Sequence, residues 1–297
     1  MNILFYTENY KYLAEKLNSK GFFKLGSIEH KIFADGESYL RIEDEIKGQN
    51  VYIIGGTISD SDTLELYDLG CAISKYGAET LNFIVPYFGY STMERAVKMG
   101  EVVKAKTRAR LFSSIPRANK GNFIYLYDLH TEAIVHYFGD SIYAENISSN
   151  YIFPTILSKI EDDIIIAAPD AGRVKYVTKL GLKFHKEIAV VLKTRIDGVV
   201  KNLAINANVL DRDILIYDDM IRSGSTIVEA INAYKKAGAR KIYLFFSHGV
   251  FSSSSILENK DIEKIFVTNS LPQVNKFNSE KLEVIDISEI LFKRITR

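Results

Sequence analysis

Short apolar runs alternate along this chain with stretches in which apolar residues recur every three or four positions, the pattern of buried parallel strands joined by amphipathic helices. Ile214-Leu-Ile-Tyr217 is one such run. Ile227, Ala230, Ile231 and Tyr234 follow it at helical spacing until Gly238 stops the helix. The same pattern predicts a first strand in Met1-Asn-Ile-Leu-Phe-Tyr-Thr-Glu8 and further strands over Phe123–Tyr127, Ile164–Ala168 and Ile188–Leu192.

The pattern also repeats. Shifting Val51–Tyr90 forward by 161 positions lays Ile53-Ile54 on Ile214-Leu215, Thr63 on Gly224, Gly77-Ala78 on Gly238-Ala239 and Leu81–Val85 on Ile242–Phe246. Each half reads strand, turn, helix, Gly-Ala, strand, which implies right-handed crossovers and a parallel sheet covered by helices, twice over. A length of 297 residues points the same way, because single cores stop growing near that size. The expected fold is α/β, with two related domains, each a mainly parallel sheet flanked by helices, over residues 1–145 and 146–297.

Charge and composition narrow the partners. With 38 basic and 37 acidic side chains the net charge is +1, and no long basic run suggests a nucleic-acid surface, so small molecules are the expected ligands. The single cysteine, Cys71, excludes an internal disulfide and a cysteine-rich zinc site and points to a reducing compartment. The amino terminus reads as a strand without a basic leader, and no apolar run approaches the roughly 20 residues that span a bilayer. A soluble, cytoplasmic protein is expected.

Candidate chemistry gathers where strands end. Asp218 and Asp219 follow the run 214–217, in position to accept hydrogen bonds from sugar hydroxyls, and Arg222-Ser-Gly-Ser-Thr226 leads into the next helix. Its backbone N–H groups, its hydroxyls and the positive end of the helix dipole suit a phosphate. The competing reading is an ordinary capping box of Thr226 with Glu229. Only the second copy of the repeat carries the acidic pair. Asp128 and His130 follow strand 123–127, and Asp170 follows strand 164–168 in Ala-Pro-Asp-Ala-Gly. Carboxyl ends of strands line the ligand crevice of open α/β sheets. His130 and Asp170 offer nitrogen and oxygen ligands, and an oxygen-rich set beside a phosphate substrate suits magnesium better than zinc. Alternatively, His130 is a structural residue and Asp170 starts a turn after Pro169. His136 lies six residues beyond His130, so the pair lacks the i, i+4 spacing of a helical metal site.

Lys193-Thr-Arg195 follows the run 188–192, and alternate residues of an extended segment face the same way, so both cations could meet one ligand. From Lys193 to Arg212 the Gly and Asn content and the lack of periodicity suggest a mobile loop able to close over a crevice, or simply a solvated charged loop. The Gly-rich loop ending in Lys and Ser or Thr that cradles triphosphates elsewhere is missing from the sequence, so phosphates of ATP would need other holders.

From about Phe33 to Phe251 the chain resembles the ribose-phosphate pyrophosphokinases, also called phosphoribosyl pyrophosphate synthetases. The likeness rests on Phe33-Ala-Asp-Gly-Glu37, Val85-Pro-Tyr-Phe-Gly-Tyr90, Asp128-Leu-His130, Pro169-Asp-Ala-Gly172, Lys193-Thr-Arg195, Asp218-Asp219 with its Arg-Ser-Gly-Ser-Thr turn, and His248-Gly-Val-Phe251, in the family's order. The resemblance implies two phosphoribosyltransferase-like domains, a homo-oligomer, and transfer of the diphosphoryl group of ATP to O1 of ribose 5-phosphate with release of AMP. It implies Lys193 and Arg195 as catalytic loop cations and His130 and Asp170 at Mg2+. It places ribose 5-phosphate on Arg195, Asp218, Asp219, Arg222, Ser223, Gly224, Ser225 and Thr226, and ATP on Phe33, Asp35, Gly36, Glu37, Thr92, Met93 and Arg95.

Two segments depart from the family pattern. Relatives usually carry an acidic residue, Thr, Gly, Gly, Thr at the positions of Arg222 to Thr226, so Ser225 puts a side chain where Gly allows the closest approach. Many carry Arg and Gln at the positions of Thr92 and Met93, and Arg95 is the nearest replacement charge. A catalytically silent regulatory relative and a phosphoribosyltransferase therefore stand beside the synthetase as alternatives.

Overall fold

The computed structural model describes residues 2–160, 163–196 and 199–297, with the side chains of residues 193–203 outside the description. The chain divides into two compact units, residues 1–148 with 288–297, and residues 149–287. Among the described residues no helix is long and apolar enough to cross a membrane.

The first unit runs β1 (Asn2–Tyr6), α1 (Lys11–Asn18), β2 (Lys24–Leu25), β3 (Ile28–Ile32), β4 (Ser38–Ile42), β5 (Asn50–Ile54), α2 (Asp60–Lys75), β6 (Thr80–Val85), α3 (Lys104–Ser113), β7 (Asn122–Tyr127) and β8 (Ile142–Ile147). Its sheet is six-stranded and parallel, in the order β2-β1-β5-β6-β7-β8, while β3 and β4 form a separate antiparallel hairpin. The apolar runs supply the sheet's buried faces, with Phe5, Ile53, Phe83 and Leu126 fully buried. Helix α2 starts at a capping box between Ser59 and Asp62 and turns Leu66, Leu69 and Ile73 onto that core. Burial of each such side chain contributes about 1.5–3 kcal/mol.

The second unit runs α4 (Phe153–Leu157), β9 (Ile164–Ala168), α5 (Val174–Phe184), β10 (Ile188–Ile196), β11 (Val199–Ile205), β12 (Asp213–Ile221), α6 (Ser225–Lys236), β13 (Ile242–Gly249), β14 (Lys264–Thr268) and β15 (Leu282–Ile285). Its seven-stranded sheet has the order β11-β10-β9-β12-β13-β14-β15, parallel except for the edge strand β11. The internal repeat corresponds to β5-α2-β6 and β12-α6-β13.

Three expectations change. Of the segment from Lys193 to Arg212, expected as a loop, residues 206–212 are loop and turn, while the part up to Ile205 contributes instead to an antiparallel ribbon of β10 with β11, with a register shift between Thr194 and Arg195. Its β-branched residues satisfy their backbone groups by adding an edge strand to the sheet. Asp218 and Asp219, expected just past a strand ending at 217, lie inside β12, which continues to Ile221 because β13 pairs with it as far as Gly249. The last helix, α7 (Ser288–Ile295), belongs to the first unit rather than to a domain 146–297. There Phe292 packs edge-on to Phe22 and Phe23, and Arg294 pairs with Glu145.

Candidate active site

The second unit has its topological switch point between β9 and β12, since the chain leaves β9 toward β10 on one side and returns to β12 on the other. Ligands of open α/β sheets bind at the carboxyl ends of the strands at such a point. Here β9 ends at Ala168, and its last pairing with β12 joins Ala167 to Ile216, so β12 runs on past β9 while still paired with β13 on its other side. The turn after β9 fills the space beside this overhang. Asp170 caps a short 3-10 turn, Ala171–Arg173, accepting the Gly172 N–H at 2.8 Å. Arg173, only 8% exposed, then reaches back to the acidic pair. Its Nε donates to Asp218 Oδ1 at 2.7 Å, and its Nη2 pairs with Asp219. The Asp219 N–H also donates to Asp218 Oδ1, at 2.9 Å. Side-chain exposure is 19% for Asp218 and 2% for Asp219. Asp218 is thus the member of the pair that solvent reaches, and Asp219 lies beneath it.

Residues 222–224 lead from β12 into α6. Gly224 is the N-cap, left-handed at φ 81°, and no side chain caps the helix there. Thr226 therefore lies within the first helical turn, and the capping-box reading of Thr226 with Glu229 does not describe this end. Helix geometry leaves the first N–H groups of α6 without intrahelical partners, and the same turn carries two serine hydroxyls, Ser223 Oγ and Ser225 Oγ, 3.4 Å apart. Such an end favours an anion through both its donors and its dipole.

The first unit has its switch point between β1 and β5, and there the space is packed. Tyr10 is fully buried, and a side chain at Gly56 would come within 2.2 Å of its hydroxyl. The candidate residues of this unit lie elsewhere. Asp128 is buried and left-handed at φ 44° after β7, and His130 is half-buried two residues on. Phe33, Asp35, Gly36 and Glu37 form the tip of the β3–β4 hairpin, closed by Phe33 N–H to the Glu37 carbonyl at 2.8 Å and by Glu37 N–H to Asp35 Oδ1 at 3.1 Å. Phe33 is 50% exposed, with its ring against Tyr39.

Thr92, Met93 and Arg95 lie in the loop after β6. The Met93 N–H donates to the Tyr90 carbonyl at 2.8 Å, and Arg95 is 78% exposed with Glu94 Oε1 3.4 Å away. Nearby lies an arrangement that motif reading missed. The Tyr90 hydroxyl donates to Asp60 Oδ1 at 2.9 Å, Arg108 Nη2 to the same oxygen at 2.6 Å, and Lys104 Nζ stands 4.3 Å from the Tyr90 ring centroid. Arg108, and after it the Tyr90 hydroxyl, hold the Asp60 carboxyl below the usual carboxylate range. The signal available beforehand was Lys104 and Arg108 at i, i+4 on one helix face. Arg173 was missed for a simpler reason, since an arginine opening a helix reads as solvated charge.

The side chains of Lys193 and Arg195 lie outside the described residues. Among the described residues no group of three or more His, Cys, Asp or Glu could hold a metal ion by itself. Magnesium, however, is commonly held by one or two carboxylates together with substrate phosphates and water. Asp170 fits that use: its capping bond falls on one of two carboxylate oxygens. Asp218 and Asp219 already share a cation in Arg173.

A mainly parallel sheet built twice, with an acidic pair and an uncapped helix start at one switch point, defines a two-unit α/β protein of phosphoribosyltransferase-like type. Sequence comparison makes the assignment specific. Residues 2–115 match the N-terminal domain of ribose phosphate pyrophosphokinase, and residues 184–297 match the phosphoribosyl synthetase-associated domain. The ribose-phosphate pyrophosphokinase of Listeria ivanovii is 31% identical over 293 residues, spanning 96% of this chain and 90% of that protein. That of Thermotoga maritima is 29% identical over 294 residues, with 96% and 91% covered. The crystal structure of phosphoribosylpyrophosphate synthetase from Mycobacterium smegmatis shares the fold, with a TM-score of 0.89, 23% identity, and 99% and 97% of the two chains covered. The chain belongs to the ribose-phosphate pyrophosphokinase family.

Proposed function

We propose that this chain transfers the diphosphoryl group of ATP to O1 of ribose 5-phosphate, giving 5-phosphoribosyl 1-diphosphate and AMP. The observation that carries the reading is the second unit's switch point, where an oriented carboxylate, Asp218, and the uncapped start of α6 share the end of one strand. That pairing suits a sugar hydroxyl and its phosphate together. The near full-length likeness to ribose-phosphate pyrophosphokinases supports the synthetase over a silent relative or a phosphoribosyltransferase.

Residues 222–226 would hold the 5-phosphate, and Asp218 would accept from a ring hydroxyl. O1 then attacks the β-phosphorus, the bond from that phosphorus to the α,β-bridging oxygen breaks, AMP leaves, and the O1 proton passes to solvent. Charge builds on phosphate oxygens, so the step needs positioned cations more than a covalent nucleophile. Lys193 and Arg195 are assigned that task. Bound magnesium would supply further charge neutralisation, with Asp170 and His130 as candidate ligands, each tested by itself. The nucleotide is assigned to Phe33, Asp35, Gly36 and Glu37 and to the Thr92–Arg95 loop. The proposal extends to a cytoplasmic homo-oligomer acting on small molecules. The test is incubation with ATP, magnesium and ribose 5-phosphate. AMP formation that depends on the pentose is expected, and none with folded protein would refute the reading.

A further inference from the structure

A phosphorylated pentose brings a phosphate dianion to residues 222–226, three positions beyond two adjacent carboxylates. Unneutralised, Asp218 and Asp219 would repel that dianion, and a pair of carboxylates at a strand end ordinarily recruits a divalent cation to offset its charge. In this chain a side chain already occupies that role. The Arg173 guanidinium places Nε on Asp218 and Nη2 on Asp219, and it is nearly buried. Arginine stays protonated under all ordinary conditions, and its fixed fork holds two acceptors at once where a lysine offers a point charge. The contacts also orient the carboxylate. Arg173 Nε and the Asp219 N–H both fall on Asp218 Oδ1, which fixes the plane of the one carboxylate in the pair that solvent reaches.

We propose that Arg173 is a positioning residue for the pentose, a built-in counter-cation that neutralises and aligns Asp218 and Asp219 so that ribose 5-phosphate binds without a divalent cation. The inference rests on the pentose-binding reading of the second unit. A metal requirement would then enter with the nucleotide and not with the sugar phosphate.

Calorimetric titration of the full chain with ribose 5-phosphate, once with EDTA and once with magnesium, tests this. The parent should bind with affinities within about threefold in the two conditions. Arg173→Met should lose at least about tenfold in EDTA and regain most of it with magnesium, while Arg173→Lys falls between. Parent binding that appears only with magnesium overturns the proposal, and so does a folded Arg173→Met protein that binds like the parent in EDTA. Removing a buried ion-pair partner destabilises folds, so if Arg173→Met does not fold, the parent comparison and Arg173→Lys decide. A folded parent that binds no ribose 5-phosphate in either condition would overturn the pentose-binding reading as well, an outcome distinct from binding rescued by metal.

Discussion

Replacing Gly224 by alanine isolates the conformational demand of the phosphate turn. Gly224 sits at φ 81° as the N-cap of α6. A Cβ there would meet Ile256 Cβ at 3.5 Å and Ile221 Cδ1 at 3.7 Å, ordinary contact distances. Space is therefore not the obstacle. An L-residue held in the left-handed region costs about 1–2 kcal/mol, whereas asparagine visits it more readily. If the backbone keeps its conformation, Gly224→Ala loses that amount in stability. If the backbone relaxes to negative φ, the turn no longer presents the same N–H groups, and the loss appears in binding as roughly a 5- to 30-fold weaker affinity for ribose 5-phosphate. Calorimetry of ribose 5-phosphate and a thermal melt, run on the parent, Gly224→Ala and Gly224→Asn, separate the two shares. Their sum should be about 1–2 kcal/mol for alanine and smaller for asparagine. An alanine protein with parental affinity and parental melting would refute the argument that this turn needs its left-handed residue.

Asp170→Ala and His130→Ala should each raise the magnesium concentration needed for half-maximal rate, and unchanged titrations in both would remove these residues from metal binding. Lys193→Ala and Arg195→Ala should lower turnover by about 10²- to 10³-fold, the usual cost of one lost donor to transition-state charge, with ribose 5-phosphate binding little changed. Steady-state kinetics beside direct binding checks this, and losses confined to binding would make the two cations recruiters only. Thr92→Arg should tighten nucleotide binding and sharpen adenine selectivity in competition assays, because threonine offers one short hydroxyl and Met93 a thioether where a guanidinium would offer a fork of donors. Weaker ATP binding by Thr92→Arg would mean that the Tyr90, Lys104 and Arg108 group already complements this loop.

The architecture was legible because local signals and the sheet agree. Ile53-Ile54 and Ile214-Leu215 are strands, α2 and α6 follow each of them, and Gly77 and Gly238 lie just past the two helices. What stayed hidden depends on contacts distant in sequence. Asp218 and Asp219 belong to β12 only because β13 continues alongside, and periodicity carries no record of a neighbour's length. Arg173 is nearly half a hundred residues from the carboxylates it holds, 45 positions from Asp218, so nothing local marks it. The ribbon of β10 and β11 contains polar residues that looked like loop, yet an edge strand tolerates them when its backbone is paired on one side. Helix α7 returns to the first unit through Phe292 and Arg294, a choice made by complementary surfaces and not by any linker composition. In the first unit the same register puts Thr57 and Ile58 where the second has Asp218 and Asp219, and Thr57 Oγ1 accepts the Gly89 N–H at 2.6 Å, a contact in place of an acidic pair.

The central claim is that one diphosphoryl group moves intact from ATP to the pentose, and phosphorus NMR of a reaction containing ATP, magnesium and ribose 5-phosphate follows it directly. The account predicts AMP and a pentose 1-diphosphate appearing in equal amounts, with both resonances absent when the pentose is withheld. ADP with a pentose bisphosphate in their place, or no change in the ATP resonances with folded protein, would contradict it.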